Sequence, residues 1–110
     1  MFDDLTKGGK KTLALIYKRY LERLKSGIDI DHAVRCGSSR TIQEELMPDA
    51  KPADVDHWCR ELGRIGYLSC YYADDIAYMV FLSDAGIRDS ENKFTKGTVD
   101  VLSFLAQFIP

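Results

Sequence analysis

The chain lacks several features that would settle its class at once. No stretch approaches the roughly 18 consecutive apolar residues of a membrane span, and Met1 to Lys11 is polar with no run of signal-peptide length, so neither insertion nor secretion is expected. Only three cysteines occur, Cys36, Cys59 and Cys70, an odd number, widely spaced and set among apolar neighbours. That pattern predicts buried free thiols in a reducing compartment, hence a cytoplasmic protein. Net charge is −2, from 17 acids against 15 bases, so any contact with a polyanion must come from a local patch. There is no Cys-x-x-Cys pair, no phosphate loop, no HExxH and no Gly-framed nucleophile elbow. His57-x-Cys59 would send its side chains to different faces of a helix, which argues against a zinc site. No enzyme activity, metal, cofactor or small-molecule substrate is expected.

What is present fits one domain. At 110 residues, with 45% apolar and 29% charged side chains, the chain can bury a core without disulfides or metals. Residues 1–9 carry a Gly pair and no clear period and are expected to form a loose arm. Residues 10–25 have helical spacing, with Leu13, Ile16, Tyr17, Tyr20, Leu21 and Leu24 on one face. Lys18, Arg19, Arg23 and Lys25 sit opposite, either as a solvated surface or as an anion site. Residues 28–37 alternate in a way that suits a short strand, with a one-turn helix capped by Asp31 as the competing reading. A short helix over 40–47 follows, where Ser38 and Ser39 offer caps and Thr41 with Glu44 has capping-box spacing. It stops at Pro48, and Pro52 suits the first position of the next helix.

Residues 51–82 organise the rest. Val55, Trp58, Cys59, Leu62 and Ile65 line one helical face, and Gly66 ends that helix. Tyr67 to Tyr72 and Ile76 to Leu82 are dense in strand formers about the Ala73-Asp74-Asp75 break, which predicts a hairpin. Ser83 caps another helix, and Thr95 can start a last one over 96–109. On that last helix Val99, Val101, Leu102, Phe104, Leu105, Ala106, Phe108 and Ile109 spread over more than half the circumference. A helix packed on one small domain needs a narrower stripe. The surplus points to a homodimer through Val101, Leu102, Phe104, Leu105, Phe108 and Ile109, the alternative being burial against Leu13, Ile16 and Tyr20 of the same subunit.

The order helix, strand, helix, turn, helix, hairpin, helix from about Thr12 to Asn92 resembles winged helix-turn-helix proteins. Leu82-Ser83-Asp84-Ala85-Gly86 is similar to the Leu-Thr-x-x-Gly that follows the wing in MarR-like and PadR-like regulators. The run from Gly86 to Phe104 looks like that of small uncharacterised winged-helix proteins of Gram-positive bacteria and their phages. The resemblance implies an α+β fold with a winged-helix domain over 10–94 and an added C-terminal helix over 95–110. It also implies binding of double-stranded DNA, as in a transcriptional regulator, through a recognition helix at 53–65 in the major groove. His57, Arg60 and Arg64 share the face opposite Trp58 and Leu62 and would reach bases or phosphates, while Arg40 would hold a phosphate. Asp74 and Asp75 at the wing tip, where DNA-binding relatives carry Arg or Lys, depart from the pattern. A protein-interaction module using the C-terminal helix or the acidic wing is the other reading.

Overall fold

A computed structural model describes residues 1–109. It is an α+β fold of six helices and one three-stranded antiparallel sheet. The first surprise is at the start. Phe2 to Asp4 forms a short 3-10 turn, Phe2 and Leu5 are buried, and helix α1 runs over Lys7–Lys25 from a Thr6 cap. Residues 1–9 are therefore not a loose arm. The Gly pair carries no flexibility signal because it marks a close crossing with helix α4 (Pro52–Ile65). A Cβ on Gly8 would lie 1.9 Å from Trp58 Cε2, and one on Gly9 would lie 2.5 Å from Glu61 Oε1. Glu61 in turn accepts from the Thr6 N–H at 2.8 Å and from its hydroxyl at 2.7 Å, so α4 caps the start of α1.

Both readings of residues 28–37 are realised in sequence. Helix α2 is a single turn, Ile30–Ala33, with Asp29 rather than Asp31 as its cap, accepting from the His32 N–H at 2.9 Å. Strand β1 follows at Arg35–Gly37. The alternation of Ile28 and Ile30 misleads because both are exposed; only Cys36 of the strand faces the core. Helix α3 spans Ser39–Leu46, and Ser38 accepts from the Thr41 N–H at 3.1 Å, one turn ahead of the Thr41 and Glu44 spacing. Pro52 opens α4 as its first residue. Gly66 closes it in the left-handed region (φ 90°), and the Tyr67 N–H returns to the Leu62 carbonyl.

Strands β2 (Leu68–Ala73) and β3 (Ile76–Leu82) meet at Asp74 and Asp75, both left-handed (φ 53° and 65°). Two such residues give the turn whose twist matches that of the strands. The sheet order is β1-β3-β2, so the central strand is β3. Helix α5 (Asp84–Lys93) starts on Ser83, whose hydroxyl oxygen accepts from the Gly86 N–H at 3.0 Å.

Helix α6 is shorter than its apolar run, Thr98–Ala106, and it starts after Gly97 (φ 63°) rather than at Thr95. Its first turn reaches back: the Lys96 N–H donates to the Asp100 carboxylate at 2.9 Å. Val101 is fully buried within its own subunit. Phe104 lies edge-on to Phe2, Phe94 and Phe108, with ring centroids 5.7, 5.4 and 5.4 Å away. Of the six residues expected at a dimer interface, Val101, Phe104, Leu105 and Phe108 are thus covered or partly covered at home. Leu102 (50% exposed) and Ile109 (73%) remain open. Residues 95–109 complete the core that Phe2 begins. No helix among the described residues is long and apolar enough to cross a membrane.

Candidate nucleic-acid interface

The surface singled out by the sequence is built by α3, α4 and the β2–β3 hairpin, and a carboxylate ties the three together. Asp56, on α4, accepts from the Ser39 hydroxyl of α3 at 2.7 Å, from the Ala77 N–H of β3 at 2.8 Å and from Arg60 Nε at 2.7 Å. Burial alone would push this carboxyl up. The three hydrogen bonds and the guanidinium charge outweigh burial and hold it below the usual carboxylate range. Asp56 is therefore a structural anion, not a charge presented to solvent.

Arg60 completes the arrangement. Besides Asp56 it donates to the Asp75 carbonyl at 2.8 Å, and its guanidinium stacks 4.7 Å above the Tyr72 ring. The side chain is a brace between α4 and the tip of the hairpin. Helical spacing placed Arg60 on the outer face correctly but gave no sign that the hairpin folds back to meet it.

Arg40, His57 and Arg64 are exposed, with no ion-pair partner among the described residues. His57 and Arg64 lie two turns apart on α4, about 10 Å by helical rise. Arg40 borders an open cleft of about 470 Å³ between α3, the start of α4 and the hairpin tip, lined also by Lys51, Pro52, Ala53, Asp56, Asp75 and Ile76. Lys51 was missed in the sequence. Its position directly before a Pro-initiated helix was the available signal, since that end of a helix attracts anions. Lys51 itself makes no side-chain cap.

The basic face of α1 is mostly consumed internally. Arg19 pairs with Glu45 of α3 at 2.6 Å, Lys18 pairs with Glu22 at 3.1 Å, and Arg23 donates to the carbonyls of Ala33 and Arg35. Asp54, Asp74 and Asp75 stay exposed beside the cations.

All three cysteines are free, Cys36 and Cys59 are buried, and burial pushes their thiols up, away from the reactive thiolate. Cys59 shares the inner face of α4 with Val55 and Leu62, as its spacing indicates. Among the described residues no group of three His, Cys, Asp or Glu side chains could hold a metal ion.

No protein-family model matches this chain, and neither the curated proteins nor the solved structures contain a match to it.

Proposed function

We propose that this is a winged helix-turn-helix protein that binds double-stranded DNA, with α3 and α4 as the two helices of the motif and the β2–β3 hairpin as the wing. The observation that carries the reading is the set of exposed cations without internal partners, Arg40 and Lys51 at the cleft and Arg64 on the outer face of α4, where His57 is also exposed. Arg40 and Lys51 flank the N-terminal end of α4, where phosphate oxygens are best accommodated. Arg60 supports this surface by bracing the wing against the helix. The free thiols suit a cytoplasmic setting, and a regulator is the role such a module serves.

Duplex DNA titrated at several salt concentrations tests it. Three phosphate contacts, Arg40, Lys51 and Arg64, give a slope of log K against log salt of about −3, and removing any one lowers it by about one. An absence of binding above background rejects the reading. It would leave the second one, a protein-interaction module, which the exposed acids of the hairpin tip and the internal engagement of Arg60 favour.

A further inference from the structure

We propose that two copies of this chain associate face to face through the outer side of the β2–β3 hairpin, in antiparallel register about a two-fold axis near Tyr78. The inference does not depend on DNA binding. The pairing of β2 with β3 is irregular. The register slips between Tyr71, opposite Met79, and Tyr72, opposite Ala77, leaving Tyr78 as an extra residue on β3. Such a bulge turns two successive side chains to the same side. Accordingly Tyr78 (45% exposed) and Met79 (42%) both face solvent between buried Ala77 and Val80.

Across from them is Tyr71, 56% exposed and held edge-on against Phe81 with ring centroids 6.2 Å apart. Next to Phe81 a groove of about 320 Å³ opens between Arg35, Gly37, Met79 and Val80. Large apolar side chains gathered in this way on a small domain mark an association surface.

Charge decides the occupant. Arg35 is exposed and pairs with Phe81 in the ladder, so it stands at one end of the face. Asp74 and Asp75 stand at the other, and no charged residue lies between, along 69–73 and 76–81. The face reads positive, apolar, negative along the strands. Phe81 and Asp75 are six positions apart, about 20 Å of strand, with Tyr78 midway. A second copy turned end for end therefore lays its acidic tip over Arg35 and offers its own Arg35 to Asp74 and Asp75, with Tyr71, Tyr78 and Met79 meeting at the centre. A parallel arrangement would set like charges together. An isologous contact needs this kind of self-complementarity. The open strip on α6, Val99, Leu102 and Ile109, has no comparable charge pattern: its acid, Asp100, is bonded to the Lys96 N–H. The acidic tip also disfavours a single-stranded nucleic acid as the partner of the aromatic face.

Sedimentation of the full chain from micromolar to millimolar concentration tests the proposal. The expected result is a concentration-dependent dimer whose dissociation constant rises at least ~10-fold, a loss of roughly 1.4 kcal/mol, in Tyr71→Glu and again in Met79→Glu. Asp74→Asn with Asp75→Gly keeps the left-handed turn while removing its charge, so folding is retained. It weakens the dimer, and Arg35→Ala then adds nothing in that background. A chain that stays monomeric throughout overturns the proposal. So does a dimer that survives Tyr71→Glu but is lost in Leu102→Glu, binding of single-stranded oligonucleotides to the monomer through Tyr71, or a charge cycle in which Arg35 and the acids act independently.

Discussion

The Asp56 carboxylate accepts from Arg60 Nε at 2.7 Å, one turn further along the same helix, and its other oxygen accepts from both Ser39 and the Ala77 N–H. One side chain thereby fixes α3, α4 and β3 relative to one another. Charge-assisted hydrogen bonds at partly buried positions are among the stronger polar contacts available to a small domain. Whatever binds at the cleft meets a surface whose geometry depends on an anion in its own wall.

Asp56→Asn is therefore expected to destabilise the fold by about 2 kcal/mol at neutral pH, since it removes the charged acceptor and leaves its donors poorly matched. The pH dependence follows from the direction of the shift. The carboxyl titrates lower in the folded chain than its ordinary value of 3.8, so its contribution is complete above that value and is lost as pH falls through the folded one. Urea denaturation at pH 7 and near pH 3 checks this: the gap between wild type and Asp56→Asn should narrow in acid. Arg60→Ala should likewise lower the melting temperature, and in a DNA titration it should leave the salt slope nearly unchanged, unlike Arg64→Ala.

The parts of the fold that were legible in the sequence are those with local causes. Val55, Cys59 and Leu62 repeat at helical period, Gly66 is left-handed, Asp74 and Asp75 form a tight turn, and Ser83 caps a helix; each signal is complete within a few residues. Gly8 and Gly9 failed as a flexibility signal because the reason for them, Trp58 and Glu61, is supplied by a distant helix. The spread of apolar residues on α6 was read as surplus because nothing local shows that Phe2, Phe94 and Val101 meet in one core. Asp56 and Arg60 stand in the i, i+4 spacing that favours an ion pair, yet the sequence alone could not show the hairpin tip closing over them.

The crossing of α1 and α4 makes Gly8 one of the least replaceable positions. With a Cβ 1.9 Å from Trp58 Cε2, Gly8→Ala forces the indole or the helix to move, at a cost of about 3 kcal/mol. Trp58→Ala alone should also destabilise, through lost packing. Combined, the two should cost clearly less than their sum, because the clash disappears with the ring. Thermal unfolding of the single and double variants measures the coupling, and simple additivity would show that the two residues do not meet.

The burial of α6 on its own subunit separates two neighbouring residues. Val101→Ala should cost about 2 kcal/mol, through lost burial and the cavity left behind, whereas Leu102→Ser, on the open face, should stay within about 0.5 kcal/mol in the monomer. Measurements at low protein concentration, where any self-association is minimal, make the comparison. Equal costs at the two positions would mean that α6 is oriented otherwise.

Tyr67 gives an alkaline counterpart to Asp56. Its ring is buried, and its hydroxyl donates to the Asp89 carboxylate of α5 at 2.5 Å. Burial, then that hydrogen bond and the carboxylate charge, push the phenol from 10 up to about 12. A raised folded value means that the contribution is fully present below pH 10 and is lost as pH climbs towards 12. Tyr67→Phe removes the donor and should cost about 1.5 kcal/mol at pH 7, with Asp89 left short of one partner. Between pH 10 and 12 wild type should lose that advantage and approach the variant. Denaturation midpoints across this range, with absorbance at the tyrosinate band, follow both effects. A wild type whose tyrosinate absorbance already exceeds that of Tyr67→Phe by one full ring at pH 11 would show that Tyr67 titrates freely and that its hydroxyl is not held by Asp89.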